Sequence, residues 1–247
     1  MPLHTGEALV LRTYRLGETD RLVVLLTRDR GKKRGVARGG ARSRKRFGGA
    51  LEPFTHVRVA YQEREQRDLV RLDYADVLGS PLTAGGEACT YASYFAELLD
   101  EWAPENDPQE RLFRLGVAVL DAMRAGVGAE RLARYFEYWL MRLEGVYPAI
   151  DRCPRCGRLV LGEGVALVVA ERTYVCRTCA PGGVHLSGAA VGFLRASGSW
   201  TPSEAAAADT SQGALQDLEQ AHERLIALHL EKEVRSLRVL KELRPEL

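Results

Sequence analysis

The 247-residue sequence contains no run of about 18 consecutive apolar residues, so no transmembrane helix is expected from it. Its first residues, Met1-Pro2-Leu3-His4-Thr5-Gly6-Glu7, hold no basic segment followed by an apolar one. The expectation is therefore a chain without a secretory signal, working in the cytoplasm. Catalytic signatures are missing too. There is no G-x-x-x-x-G-K-[ST] to cradle a phosphate, no H-E-x-x-H and no G-x-S-x-G. The five histidines (His4, His56, His185, His222, His229) are scattered. His222 and His229, on one expected helix, read as packing or surface residues. Carboxylates such as Asp73 and Asp76 occur close together, but nothing marks them as a metal-dependent nuclease site. No catalytic apparatus is visible, and the chain is expected not to be an enzyme.

What is present is an ordinary globular composition, 46% hydrophobic and 28% charged, long enough for one large domain or two small ones. The net charge of +2 conceals an uneven distribution. Residues 1–80 carry 17 Lys and Arg against 10 Asp and Glu, whereas the remainder carries 18 against 23. A positive N-terminal part joined to a negative remainder suits a polyanion-binding module attached to something else.

Residues 1–80 read as five short strands. Ala8–Tyr14 and Arg21–Thr27 are rich in β-branched and apolar residues and are bounded by turn signals at Leu16–Asp20 and Asp29–Gly31. Gly35–Gly39 supplies a third, Phe54–Tyr61 alternates, and Asp68–Tyr74 alternates more weakly. Five strands in this length fit an OB-fold barrel, although an SH3-like barrel or a small open sheet gives the same pattern. From Thr83 the period becomes helical. Tyr91, Tyr94, Phe95, Leu98, Leu99 and Trp102 lie on one helix, Glu110–Arg124 forms a second and Glu130–Glu144 a third. Their aromatic stripe reads as core. Helical periodicity resumes at Ser187–Ala196, and one long helix is expected from Gln212 to Leu243.

Four of the five cysteines stand as Cys153-Pro154-Arg155-Cys156 and Cys176-Arg177-Thr178-Cys179. This is C-x2-C, 19 residues, C-x2-C, within the range of a four-cysteine zinc ribbon. Two residues between ligands let one tight turn aim both sulfurs at one ion, and Gly157 permits a positive φ after the second. A closed set of four thiolates leaves no open position for catalysis, so one structural Zn²⁺ per chain is expected. Arg152, Arg155, Arg158, Arg172 and Arg177 crowd the site and can offset its negative charge. Cys89 stands alone and reads as a buried packing residue.

The stretch Arg28–Arg46 holds ten basic residues against one acid, Asp29. It is punctuated by glycines at 31, 35, 39 and 40 and reads as a basic nucleic-acid-binding loop, the alternative being a solvated, flexible loop that binds nothing specific. Arg pairs bidentately with phosphate oxygens, so Lys32, Lys33, Arg34, Arg38, Arg42, Arg44, Lys45 and Arg46 are the expected nucleic-acid contacts. Phe47 and Phe54 offer stacking surfaces for bases. Taken alone, these residues leave open an RNA-binding or ribosome-associated zinc module and a zinc-dependent nucleic-acid enzyme.

Further residues carry a resemblance. Ala8–Arg12, Tyr14, Gly17–Asp20, Leu25–Thr27, Gly31, Val36–Arg44 and Leu51–Phe54 resemble the opening of the bacterial RecO DNA-repair family, and the Cys153–Cys179 ribbon after Gly145-Val146-Tyr147-Pro148 resembles that family's arrangement. The resemblance covers essentially the whole chain. It implies an α+β protein: an N-terminal five-stranded OB-fold barrel followed by an all-helical domain carrying a four-cysteine zinc ribbon. The implied division is 1–80 for the barrel, 81–150 and 183–247 for the two parts of the helical domain, and 151–182 for the ribbon. It also implies a recombination mediator that binds single- and double-stranded DNA, anneals complementary strands and works in the cytoplasm at the nucleoid, not at a membrane. The implied partners are RecR, single-stranded-DNA-binding protein and RecF, with RecA recombinase loaded in the outcome. The family pattern places glycines shortly before the third cysteine, where this chain has Arg172-Thr173-Tyr174-Val175.

Overall fold

The computed structural model describes residues 2–63, 69–126, 128–160 and 162–243. Alternating apolar residues produce β1 (Leu3–Leu16), β2 (Asp20–Thr27) and β3 (Gly31–Ala37), then a short helix α1 (Arg44–Phe47), β4 (His56–Gln62) and β5 (Leu69–Gly79). A 3-10 turn (Pro81–Ala84) leads to α2 (Gly86–Trp102), α3 (Glu110–Arg124) and α4 (Ala129–Leu143). Three short strands follow, β6 (Val165–Val168), β7 (Thr173–Cys176) and β8 (Val184–Leu186), then α5 (Gly188–Ser197), α6 (Pro202–Ala207), α7 (Gln212–Leu230) and α8 (Arg235–Leu243). The chain forms two compact units, Met1–Gly126 with Val234–Leu247, and Val127–Glu233. Among the described residues no helix is long and apolar enough to cross a membrane.

In the first unit the strands close in the order β1-β2-β3-β5-β4, with β4 pairing back onto β1. All pairs are antiparallel except β3–β5. This is the OB-fold, and closure removes the unpaired edges that would invite aggregation. β1 serves both β2 and β4, and its register to β2 shifts between Val10 and Arg12, where an irregularity lets the strand bend around the barrel. Inward-facing Val10, Val23, Leu25, Val59 and Leu72 fill the interior, and Phe47 plugs one end. Outside, α2 is tied on by charge: Arg12 Nε lies 2.5 Å from Asp100 and Arg12 Nη2 2.9 Å from Glu101.

Several sequence expectations require correction here. Arg28–Arg46 is not one loop, because β3 occupies Gly31–Ala37. Its basic residues tolerate a strand because neighbouring acids neutralise them. Lys32 Nζ sits 3.2 Å from Asp100, Lys33 Nζ 2.6 Å from Glu63 and Arg34 Nη2 2.6 Å from Glu105. Of the fifth expected strand, Asp68 lies outside the described residues, and the strand runs from Leu69 on to Gly79. The long helix expected from Gln212 to Leu243 is two helices. Glu231 takes a left-handed conformation (φ 55°) and ends α7. The charged run Glu231-Lys232-Glu233 offers no apolar face to carry the helix onward. Leu237 and Leu240 of α8 are buried in the first unit, where α8 packs on α2. The Glu97 carboxylate of α2 accepts the Ser236 N–H at 2.7 Å and the Arg235 N–H at 3.3 Å, capping α8. Cys89 is only partly buried, with its Sγ 3.8 Å from the Pro81 carbonyl oxygen.

The second unit packs α4 against α6 and α7, while the sheet β7-β6-β8 rests on α7 through β8. The alanine-rich Glu204–Ala208 stretch lies mostly in α6, which begins with a Thr201–Glu204 capping box. The expected break at residue 80 follows the end of β5 at Gly79, whereas the compact unit continues through α2 and α3.

Candidate metal centre and nucleic-acid interface

The β6–β7 hairpin and two knuckle turns bring the cysteines together. Gly157 N–H donates to the Cys153 carbonyl at 2.9 Å, and Cys179 N–H to the Cys176 carbonyl at 2.9 Å, closing each C-x2-C turn. Gly157 takes φ 72°, the left-handed value expected after the second ligand. All four Sγ atoms lie within 4.8 Å of one another, and Cys156 and Cys176 are 3.7 Å apart. A tetrahedron of sulfurs at a metal–sulfur distance of about 2.3 Å has an edge of about 3.8 Å, so the cluster could hold one metal ion. Burial works against a thiolate at Cys153, but the backbone N–H groups of Cys176, Cys156 and Arg155 outweigh it and draw its pKa down to about 6. Arg155 donates to the Cys179 carbonyl at 2.8 Å and pairs with Glu171 at 2.6 Å, bracing the two knuckles. Arg172 adopts the left-handed conformation itself (φ 49°, ψ 46°), so the turn before β7 forms without a glycine.

Behind the ribbon runs a buried polar chain that the sequence did not reveal. Arg134 Nη2 pairs with Glu137 at 2.9 Å, and Glu137 lies 2.8 Å from His222 Nδ1. On the other side of the ring, Tyr147 Oη is 2.9 Å from His222 Nε2 and 3.2 Å from Tyr174 Oη. A neutral imidazole satisfies both ends, donating from Nδ1 to the carboxylate and accepting the Tyr147 hydroxyl proton at Nε2. Complete burial lowers the His222 pKa more than Glu137 raises it. The same burial raises the pKa of both tyrosines. Tyr174 stands on β7 two residues before Cys176, so the chain fastens the ribbon to α4 and α7.

The basic residues separate into two groups. Lys32, Lys33 and Arg34 are engaged in the ion pairs described above. Exposed Arg38 stands near Asp20, whose carboxylate accepts the Gly39 N–H at 2.8 Å and is held below its ordinary pKa by that bond. Arg46 donates to Ser43 Oγ at 3.2 Å and lies over the Phe47 ring at 5.0 Å. Lys45 is exposed at the start of α1. Arg42 and Arg44 enter an open cleft of about 540 Å³ at the barrel mouth, between the β1–β2 hairpin and the turns flanking α1. Arg15 and Arg21, directly opposite each other on β1 and β2, line the same cleft. None of these four arginines has an ion-pair partner among the described residues. Reading along the sequence missed Arg15 and Arg21. The signal was their position at the two ends of the Leu16–Asp20 turn, where hairpin pairing sets them side by side.

The expected stacking residues are not available at the surface. Phe47 is 3% and Phe54 0% exposed. The first faces into the barrel and the second, at φ 62°, packs 5.5 Å from Phe95. Both Phe47 and Tyr14 line the cleft, and of the two Tyr14 is the exposed ring, at 46%.

Residues 1–81 match the family model described as Recombination protein O N terminal, and residues 85–238 that of Recombination protein O C terminal. A barrel of the OB type joined to a helical body with four clustered cysteines is thus, in this chain, the frame of a DNA repair and recombination protein. A DNA repair protein RecO of Koribacter versatilis (strain Ellin345) is 45% identical over 157 residues, 63% of this chain and 64% of the relative. Those of Anaeromyxobacter dehalogenans (strain 2CP-C) and Nocardioides sp. (strain ATCC BAA-499 / JS614) are 38% and 35% identical, covering 96% and 95% of this chain and 95% and 98% of the relatives. The chain belongs to the RecO family.

Proposed function

We propose that this chain is a recombination mediator that makes and breaks no covalent bond. It binds single- and double-stranded DNA and anneals complementary strands. With RecR, and with RecF as a further partner, it helps replace single-stranded-DNA-binding protein by RecA recombinase. The observation that carries the reading is the barrel mouth, where Arg15, Arg21, Arg42 and Arg44 line one cleft in which Glu52 is the one acid, and none of the four is ion-paired among the described residues. Guanidinium groups placed so can neutralise backbone phosphates and lower the repulsion between two approaching strands. The reading rests on Arg38, Arg42, Arg44 and Lys45, joined by Arg15 and Arg21. Lys32 and Lys33 contribute to the fold instead, since each is committed to a carboxylate.

The cysteine set accommodates a structural zinc ion, whose chemistry would be that of a cross-link between the knuckles with no position open to substrate. Annealing of complementary strands coated with single-stranded-DNA-binding protein tests the function. Acceleration by the folded protein, and its loss in the Arg42→Ala/Arg44→Ala variant, is the expected result. No acceleration, together with tighter binding to RNA than to DNA of the same sequence, would replace this reading with an RNA-binding module.

A further inference from the structure

The outer wall of the barrel is only half covered. Residues on one side of the β1–β2–β3 sheet are masked: Val24 and Leu26 are buried, and the outward Lys32 is held by Asp100 of α2. Toward the hairpin end the covering stops. Cross-strand register there sets Tyr14 opposite Leu22, Leu22 opposite Val36, and Val36 beside Arg71 of β5. This row runs across four strands. Tyr14 and Arg71 are exposed, and Leu22 and Val36 are half-buried. Leu16, the next outward residue on β1, is 43% exposed. An apolar row left open beside the buried Val24 and Leu26 of the same wall marks a contact surface.

What adjoins the row identifies its occupant. Tyr14 belongs both to the row and to the arginine cleft. The surface therefore presents flat apolar area at one edge and, at the other, four arginines against the single acid Glu52, none of them ion-paired among the described residues. A ligand matching both is a polyanion with unpaired planar faces, which describes a single nucleic-acid strand. A duplex matches only the cleft, because its base faces are stacked on each other. We propose that the Tyr14–Leu22–Val36 row receives unpaired bases, with Tyr14 stacking on one of them while the adjoining phosphates lie among Arg15, Arg21, Arg42 and Arg44. The row thereby separates single-strand from duplex binding on one barrel. This rests on the DNA-binding reading above and adds to it which residues sense strandedness.

The experiment measures binding of the full-length protein to three probes of equal length: an oligothymidine, the same backbone without bases, and a duplex. Tyr14→Ala is expected to weaken oligothymidine binding by about tenfold, within the range of one lost base–aromatic stack. Binding of the base-free strand and of the duplex should stay within about twofold. Tyr14→Phe should bind all three like the unmodified protein, since a ring is retained. Equal loss on all three probes with Tyr14→Ala, or no loss on oligothymidine, overturns the assignment. Failure of the unmodified protein to bind any of the nucleic-acid probes would instead remove the DNA-binding reading itself. Tyr14 is exposed and its melting behaviour is expected to be unaltered by either substitution, which a thermal melt of each variant verifies.

Discussion

His222 is a packing residue, one of the two roles its sequence position suggested, but with polar partners that the sequence did not announce. It is buried as a neutral ring between Glu137 and Tyr147. In the unfolded chain it takes up a proton near its ordinary pKa of about 6.5. In the folded chain burial holds that pKa lower. The unfolded state then binds more protons between the two values, so stability falls as pH drops through about 6.5, by at most about 1.4 kcal/mol per unit. Thermal melts from pH 7.5 to 5 should show this decline, and His222→Gln, which keeps a polar partner but does not titrate, should flatten it. An equally steep decline in the variant would assign the effect to other groups. Gly31 makes a second test at this scale. Its φ is +70°, and a Cβ there would come within 2.3 Å of the Asp107 carbonyl oxygen. Gly31→Ala should cost about 2 kcal/mol or more in chemical denaturation, from left-handed strain and the backbone clash together.

At the scale of elements, the ribbon is stabilised from two sides. The cysteine cluster closes its knuckles, and the Tyr174–Tyr147–His222 chain holds β7 to the helices. If the cluster holds the proposed zinc, a chelator should lower the melting temperature and the folded yield, as should Cys156→Ala. DNA affinity per folded molecule should change little, because the arginine cleft is in the other unit. A variant fully stable yet unable to bind DNA would contradict a structural role for the cysteines. The C-terminal pair α7 and α8 shows how an element can be misread. Leu215, Leu218 and Leu225 continue in period into Leu237 and Leu240, and only the left-handed Glu231 and the capping carboxylate of Glu97 reveal the break. Glu97 is far from Ser236 in sequence, so no local pattern announces it.

For the whole molecule, the decisive property is where positive charge is left unpaired. The proposed phosphate binding by the cleft predicts a steep salt dependence, with a slope of roughly −0.7 in the log–log plot for each single-strand phosphate neutralised. Arg42→Ala with Arg44→Ala should reduce that slope by about 1.4 and weaken DNA binding, while the melting temperature stays nearly constant. Fluorescence anisotropy between about 50 and 200 mM salt measures it, and an unchanged slope would place the DNA elsewhere.

The sequence by itself determined the strand-then-helix order, because period-two and helical patterns of apolar residues express burial on one face of each element. It determined which cysteines cluster, since the short spacing within each C-x2-C pair brings both sulfurs together through local turns. It also located the basic segment, but not which of its charges are available. That was decided by tertiary structure, which brings Asp100, Glu63 and Glu105 to Lys32, Lys33 and Arg34 and leaves Arg42 and Arg44 open. It likewise turned Phe47 and Phe54 inward and set Tyr14 outward. Charge pairing and ring exposure depend on residues distant along the chain, and barrel closure alone makes them neighbours.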